Sequence, residues 1–335
     1  MLDIRQLRYF RAIAEQGSFS RAARVLNVAQ PALSLHVRNM EADLGTPLLF
    51  RTPRGVQPTE AGEILLQHAR IILDQVTVAE EQVRGSLSDP SGEVRLGLPG
   101  TIAQILAVPL ITATHQRYPG IRLRIAEAMS GFVLEWLRDG RVDLAVLYGE
   151  TNDHGVRTEA ILTEELEFFG AARASGNDGL PPPNGLLPFA TAARMPLILP
   201  GLGHGLRDQL AHIAQDLGVG LNCVIDVDSY SNIKGLVAEG LGYSILPRNA
   251  IAAEVAAGKL LRWRLSDPPI QRSVYLAHAT GRPATNAVSV VQALTRSMLH
   301  DLARTGRWIG AVALDDADDV GDADDATLDT AADRA

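Results

Sequence analysis

The sequence predicts an α+β multi-domain chain: an N-terminal winged helix-turn-helix, a long linker helix, then a two-lobed α/β region. Three observations carry that prediction. Two short amphipathic helical patterns meet at a tight break, Leu26-Asn27-Val28, and the second opens on Gln30-Pro31. Proline is tolerated there because the N–H it lacks would be unsatisfied in a first helical turn anyway. Apolar residues then recur at Leu65, Ala69, Ile72, Val76, Ala79 and Val83, steps of four and three that make a heptad seam. Beyond residue 93, strand-like alternation and helical stretches take turns, as in an α/β unit with a parallel sheet.

Each element has its own local signal. Asp3 caps a first helix with Ile4, Leu7, Phe10, Ile13 and Ala14 on one face, ended by Gly17. Ser18 caps a second, with Phe19, Ala22, Ala23 and Leu26 facing inward. The third runs over about 30–44, packs Leu33, Val37, Met40 and Leu44, and stops at Gly45. Residues 48–57 read as a hairpin with Thr52-Pro53-Arg54-Gly55 as its turn, the wing of a domain spanning 1–60. Arg51 and Arg54 stand where a phosphate or the minor groove would be. Thr59 caps the linker helix, expected over 59–88, with its last turn near residue 87. The preceding domain is already closed by three helices and a wing, so the heptad seam needs a partner. Residues 86–92, Ser-Leu-Ser-Asp-Pro-Ser-Gly, form the hinge that follows.

In the α/β region the first unit has strands at 93–98, 121–127 and 144–147, with helices near 101–116 and 131–139. The second has strands near 166–169, 197–199, 222–227 and 243–246, with helices near 206–217 and 232–239. A strand at 273–278 and a helix over 286–304 return to the first unit. The domain is therefore 92–306, with lobe I at about 93–162 and 270–306 and lobe II at about 163–269. Residues 174–185, rich in Gly and Pro, are expected to form a surface loop. Residues 307–335 are expected to be an acidic, disordered tail, too poor in apolar side chains to offset the entropy of ordering.

Hydrophobic residues make up 46% of the 335, ample for several cores. The formal charge of -8 is carried by the end of the tail, where from Asp315 onward nine Asp stand against one Arg. Residues 1–65 hold eight Arg against six acids, so phosphate affinity needs two or more such domains acting together. The single cysteine, Cys223, excludes an internal disulfide and a Cys-based zinc site, and its apolar surroundings at 221–227 mark a packing thiol. No basic-then-apolar leader and no run of 18 apolar residues occurs, which predicts a cytoplasmic chain with no membrane partner. No G-x-S-x-G, H-E-x-x-H, P-loop or Cys-His pair is present, and His204 and His212 lie eight apart, too far for one helical turn. No catalytic residue, metal site or cofactor is expected. Leu199-Pro200-Gly201-Leu202-Gly203 lacks the spacing of a dinucleotide fingerprint.

The run from Ser18-Phe19-Ser20-Arg21-Ala22-Ala23 through Ala29-Gln30-Pro31-Ala32-Leu33-Ser34, with Arg51-Thr52-Pro53-Arg54-Gly55-Val56 and Thr59-Glu60-Ala61-Gly62, resembles the DNA-binding domain of LysR-type transcriptional regulators. The likeness continues to about residue 304, because two lobes with crossed connections resemble the family's effector domain, itself akin to periplasmic binding proteins. Pro99-Gly100-Thr101 and Met129-Ser130-Gly131 are similar to the family's regulators of nitrogen assimilation and small-acid metabolism.

That resemblance implies a DNA-facing set of Ser20, Arg21, Gln30, Pro31, Ser34, His36, Arg38, Arg51 and Arg54. Gln30 can pair bidentately with adenine, Pro31 can touch a thymine methyl, and Arg38 can reach a phosphate. Leu35 and His36 depart from the polar pair common in the family, which thins direct base readout. The linker helix is implied to be the dimerising element. A small effector, often a carboxylate, is implied in an inter-lobe cleft made by Gly100, Thr101, Ile102, Ser130, Leu147, Pro200, His204, Arg207, Ser229, Ser231 and Pro247. Strand-to-helix turns suit an anion, and Arg207 is the expected fixed cation. The implied partners are double-stranded DNA, the effector and further copies of the chain as homodimer or homotetramer, with RNA polymerase a further candidate.

Overall fold

Local capping sets the three helices of the N-terminal domain in a computed structural model that describes residues 2–52, 55–84, 89–151, 153–172 and 180–314. α1 (Ile4–Gln16) opens on a reciprocal capping box: Asp3 Oδ1 accepts from the Gln6 N–H at 2.7 Å, and Gln6 Oε1 accepts from the Asp3 N–H at 3.1 Å. In α2 (Phe19–Leu26) the Ser18 hydroxyl accepts from the Arg21 N–H at 3.4 Å. Asn27, left-handed at φ 54°, turns the chain into α3 (Gln30–Leu44). Phe10, Ile13, Phe19, Leu33, Val37 and Met40 form the core. Ile4 and Leu44, expected to face it, are instead 40% and 43% exposed, since each sits at a helix end beyond the reach of the neighbouring helices.

The wing consists of β1 (Leu49–Thr52) and β2 (Gly55–Pro58), an antiparallel pair. Pro53 and Arg54 of its expected turn lie outside the described residues. Gly55 is required where it stands: φ is 134°, and a Cβ would sit 2.6 Å from the Gly17 carbonyl oxygen. That close approach lets the Val56 N–H donate to Gly17 O and ties the wing to the end of α1.

α4 (Glu60–Arg84) begins where the Thr59 hydroxyl accepts from the Gly62 N–H at 3.0 Å. Residues 85–88, which include the expected last turn and the start of the hinge, lie outside the described residues. The helix has three working faces. Leu66, Ala69 and Leu73 are buried on one, with Leu7 of α1 against Ala69 and Leu73. Gln67, Asp74 and Glu81, seven apart, face the next domain on the second. There Gln67 donates to the Arg138 carbonyl, Arg282 pairs with Asp74 at 2.8 Å, and the Glu81 carboxylate accepts from the Asn286 N–H at 2.9 Å. Ile72, Val76, Ala79 and Val83 lie on the third, Ile72 41% and Val83 88% exposed. Two members of the expected seam are corrected: Ala69 is fully buried within its own chain, and Leu65 is half-buried against the N-terminal core. The heptad pattern overlaps an ordinary intramolecular stripe there, and spacing alone does not separate the two.

Strands and helices alternate from β3 (Gly92–Pro99) through α5 (Gly100–Arg117), β4 (Ile121–Ala128), α6 (Ser130–Arg138) and β5 (Leu144–Tyr148). β3 lies between β4 and β5, parallel to both. β6 (Val156–Ala171) is one 16-residue strand where the sequence showed only 166–169, because its first half mixes charged and apolar residues without clean alternation. It leaves the first lobe and enters the second. Then come β7 (Leu186–Pro188), α7 (Phe189–Arg194), β8 (Leu197–Leu199), α8 (Gly205–Asp216), β9 (Cys223–Asp226), α9 (Tyr230–Ala238), β10 (Ser244–Pro247), α10 (Arg248–Ala256) and β11 (Leu260–Ser266). Of the expected Gly/Pro-rich loop, 174–179 lie outside the described residues. β12 (Gln271–Ala279) returns to the first lobe, antiparallel to both β5 and β6, and α11 (Asn286–Arg304) packs on α5, β3 and β6.

The expected start of the tail at residue 307 is also corrected. Trp308 is 1% exposed in the lobe I core, and β13 (Ala311–Ala313) pairs with β6. Residues 315–335 lie outside the described residues. Each lobe has its own core, one around Leu96, Leu106, Val146 and Leu276, the other around Phe168, Phe189, Ile198 and Ile245.

Candidate functional site

On the N-terminal domain, α3 presents its first turn outward. Ala29 provides no side-chain cap; Pro31 has no N–H to satisfy, and the Ala32 and Leu33 N–H groups donate to the Ala29 carbonyl at 3.0 and 3.4 Å. Gln30, Pro31, Leu35 and Arg38 are exposed, and Leu35 is 55% exposed. Ser34 is held: its hydroxyl accepts from Arg51 Nη2 at 3.2 Å, while the same guanidinium lies 5.0 Å over the Phe19 ring. The wing and the second helix of the motif are thereby fixed to each other. Ser20 and Arg21 are exposed on the first turn of α2. His36 is half-buried, its ring edge-on against Tyr9 of α1 at 5.1 Å. Arg54 lies outside the described residues.

Between the lobes lies a cavity of about 360 Å³ at the C-terminal ends of β3, β4 and β5 and the N-terminal ends of α8 and α9. Open α/β sheets bind ligands at such carboxyl ends. Arg272 forms the charged part of its wall. Its side chain is only 5% exposed, and its Nε donates to Glu164 Oε1 at 2.6 Å. Glu164 is anchored from behind by Trp308, whose Nε1 donates to Oε2 at 2.9 Å. The Arg272 guanidinium lies 3.4 Å from the centre of the Tyr148 ring. Its Nη2 is buried without a hydrogen-bond partner among the described residues. Burial would lower the arginine pKa, but the surrounding Tyr148, Glu164 and Tyr230 groups outweigh it and raise it, so the cation is permanent.

Neutral donors surround that cation. The Thr101 and Tyr148 hydroxyls are 2.6 Å apart, and the Ser130 hydroxyl accepts from the Tyr148 N–H at 3.1 Å. Desolvation raises the Tyr148 pKa well above its ordinary value and raises that of Tyr230, so both remain O–H donors. His204 caps α8, its Nδ1 accepting from the Leu206 N–H at 3.2 Å, which leaves Nε2 as the donor of a neutral ring. Desolvation, then the Arg272 charge, holds its pKa down. Ser229 caps α9 by accepting from the Asn232 N–H at 3.4 Å. A buried cation with an unused N–H, ringed by hydroxyls and two helix N-termini, is built to hold a small anion.

The cavity gathers Gly100, Thr101, Ser130, His204, Ser229 and Ser231 from the expected set, and not the other five. Ile102 and Leu147 are buried in the lobe I cores, because each is next in sequence to a cleft-facing residue, Thr101 or Tyr148, and the helical turn or strand alternation points it the other way. Pro200 and Pro247 are buried at strand ends. Arg207 turns to Asp226 at 3.4 Å and leaves the cavity without the expected cation. Arg272 replaces it. A signal for Arg272 existed: it shares the inward face of β12 with Val274 and Leu276, and a charge at a buried strand position needs a partner. The expected strand began at Ser273, one residue too late to include it. A larger cavity of about 420 Å³ between α1, α4 and lobe I is less suited, since its Arg95 and Arg282 are paired with Asp143 and Asp74.

Two family models match the chain. Residues 4–63 match the bacterial regulatory helix-turn-helix protein, lysR family, and residues 88–299 match the LysR substrate binding domain. The nitrogen assimilation regulatory protein nac of Escherichia coli (strain K12) is 32% identical over 293 residues, 86% of this chain and 93% of the relative. Its counterpart from Klebsiella aerogenes is 30% identical over 294 residues, 87% and 94% of the two chains. Among solved structures, a full-length OxyR variant from Pseudomonas aeruginosa superposes with a TM-score of 0.73 at 25% identity, covering 88% of this chain and 95% of that one.

Proposed function

The chain belongs to the LysR family of DNA-binding transcription regulators with an effector-binding domain, and from that premise we propose that a small carboxylate bound at Arg272 controls it. The observation that supports this reading is the unpartnered Arg272 Nη2, buried in the wall of the inter-lobe cavity. An uncompensated N–H on a permanent buried cation is costly, and an anionic oxygen removes that cost. Thr101, Tyr148 and the first turns of α5 and α9 then orient the ligand. Because these groups come from both lobes, a ligand touching them favours one lobe arrangement over others by its differential contacts.

In the same reading, Gln30, Pro31, Ser34, Arg38 and Arg51 form the DNA face, with Ser20 and Arg21 beside it. The α4 face of Ile72, Val76, Ala79 and Val83 joins two copies, which places two such DNA faces on one operator and offsets the modest charge of each.

Calorimetry of small mono- and dicarboxylates against wild type, Arg272→Gln and Thr101→Val tests the site. A charge-assisted contact contributes about 1.5–3 kcal/mol, so Arg272→Gln should weaken binding about ten- to a hundred-fold. Thr101→Val, which keeps shape but loses the hydroxyl, should have a smaller effect. Wild-type affinity in both variants places the ligand elsewhere.

A further inference from the structure

We propose that the ligand of this cavity is an amino-carboxylate, a free amino acid or close amine-bearing relative, and not a simple carboxylic acid; the inference rests on the carboxylate reading above. The charges around the cavity carry it. Among the described lining residues the one permanent cation is Arg272, and His204 is neutral. Two carboxylates also line the cavity, Glu127 from the first lobe and Asp228 from the second. Neither belongs in a site built for an anion alone.

Glu127 is placed by the sheet. It lies near the end of β4, opposite Leu98 of β3, and its carboxylate folds over the start of α5. A Cβ at residue 100 would sit 2.8 Å from Glu127 Oε1, so glycine there leaves the room this carboxylate occupies beside Thr101. Among the described residues no cation pairs with Glu127, and no hydrogen bond engages it. Asp228 Oδ1 accepts from the Gly201 N–H at 3.0 Å, and no cation pairs with it among the described residues.

A simple carboxylate at Arg272 and Thr101 would bring a third negative charge between these two, and like charges in a partly desolvated cleft repel. A ligand that carries an ammonium group next to its carboxylate converts the same two side chains into acceptors. The carboxylate lies at Arg272 and the hydroxyls, and the ammonium donates to Glu127 from one lobe and Asp228 from the other. Because the two acids belong to different lobes, the amine also supplies a contact that only the closed arrangement completes. A cavity of about 360 Å³ accommodates a molecule of that size.

Thermal shift and calorimetry on the full chain test this with the proteinogenic L-amino acids. Each one that stabilises the protein is followed by the analogue in which hydrogen replaces the amino group. The expected result is an amino acid whose deaminated analogue binds at least about ten-fold more weakly, the size of one charge-assisted contact. In Glu127→Gln, an exposed substitution, that preference should shrink to within about three-fold while the affinity for the deaminated acid is retained or improved. Arg272→Lys, which keeps the charge but loses the planar fork, should weaken both ligands together. If the deaminated acids bind wild type as well as or better than the amino acids, the amine reading is overturned and the carboxylate reading stands. If amines without a carboxylate bind and Arg272→Lys is indifferent, the carboxylate reading falls. If neither class binds wild type, both fall.

Discussion

Arg272 owes its place in the cavity wall to a distant partner. It lies in a strand, points inward, and is held by Glu164, 108 residues away in sequence. Local signals could not reveal that pairing. They did reveal Thr101, Ser130, Ser229 and His204, since a hydroxyl, imidazole or small residue where a strand becomes a helix is a local pattern. Arg207 was legible as a charge but not as a direction, and Asp226 turns it away. His204 yields a pH prediction. Burial holds its folded-state pKa below the ordinary value of ~6.5, so the unfolded chain takes up the proton first as pH falls. Its contribution to stability is complete above about pH 6.5 and shrinks as pH drops from there through the depressed folded-state value. His204→Asn keeps a capping acceptor but does not titrate. The stability advantage of wild type over this variant, from urea unfolding at a series of pH values, should be constant above neutrality and narrow below it. An advantage that grows on acidification contradicts the assignment.

At the level of elements, capping and periodicity located most helices and the parallel strands. The sequence signals failed where a segment is short or where two patterns coincide. β13 is three residues of Ala and Val in a stretch of low complexity, yet with Trp308 it completes the lobe I sheet and core. Truncation after Arg304 should therefore cost roughly 3–5 kcal/mol relative to truncation after Leu314, the loss expected when a buried Trp is removed. It should also loosen ligand binding, because Glu164 loses the donor that orients it toward Arg272. Equal denaturation midpoints for the two truncations would show that this segment contributes nothing. In α4 the ambiguity was between faces. Ala69 satisfied the heptad spacing but packs within its own chain, whereas Ile72 lies outward. Ile72→Asp should dissociate the oligomer, since a carboxylate between two apolar seams goes unpaired. Ultracentrifugation checks this: sedimentation equal to wild type at micromolar concentration removes the face from the interface.

For the whole molecule, the features join in one path. α4 is packed on α1 by one face, on lobe I by the Gln67, Asp74 and Glu81 stripe, and on a second copy by the remaining face in the reading above. The lobe contact is polar and charged, with Arg95 also held by Asp143 at 2.6 Å and 3.9 Å from Glu15 of α1. Such a contact responds to small displacements more sharply than an apolar one, because hydrogen bonds and ion pairs depend on direction and distance. None of its long-range pairs has a sequence signature, although the two-lobed class and the DNA-binding motif were both legible. Under the proposed function, a ligand that shifts the lobes acts on the helix that positions the DNA faces.

DNase footprinting on the protein's own upstream region, with and without the acid that binds wild type most tightly, tests that connection most directly. The ligand should change the footprint of wild type, as the two DNA faces are re-spaced, and leave the footprint of Arg272→Gln unchanged. Without ligand both proteins should protect the same bases with the same affinity. A ligand-dependent change that persists in Arg272→Gln contradicts the account.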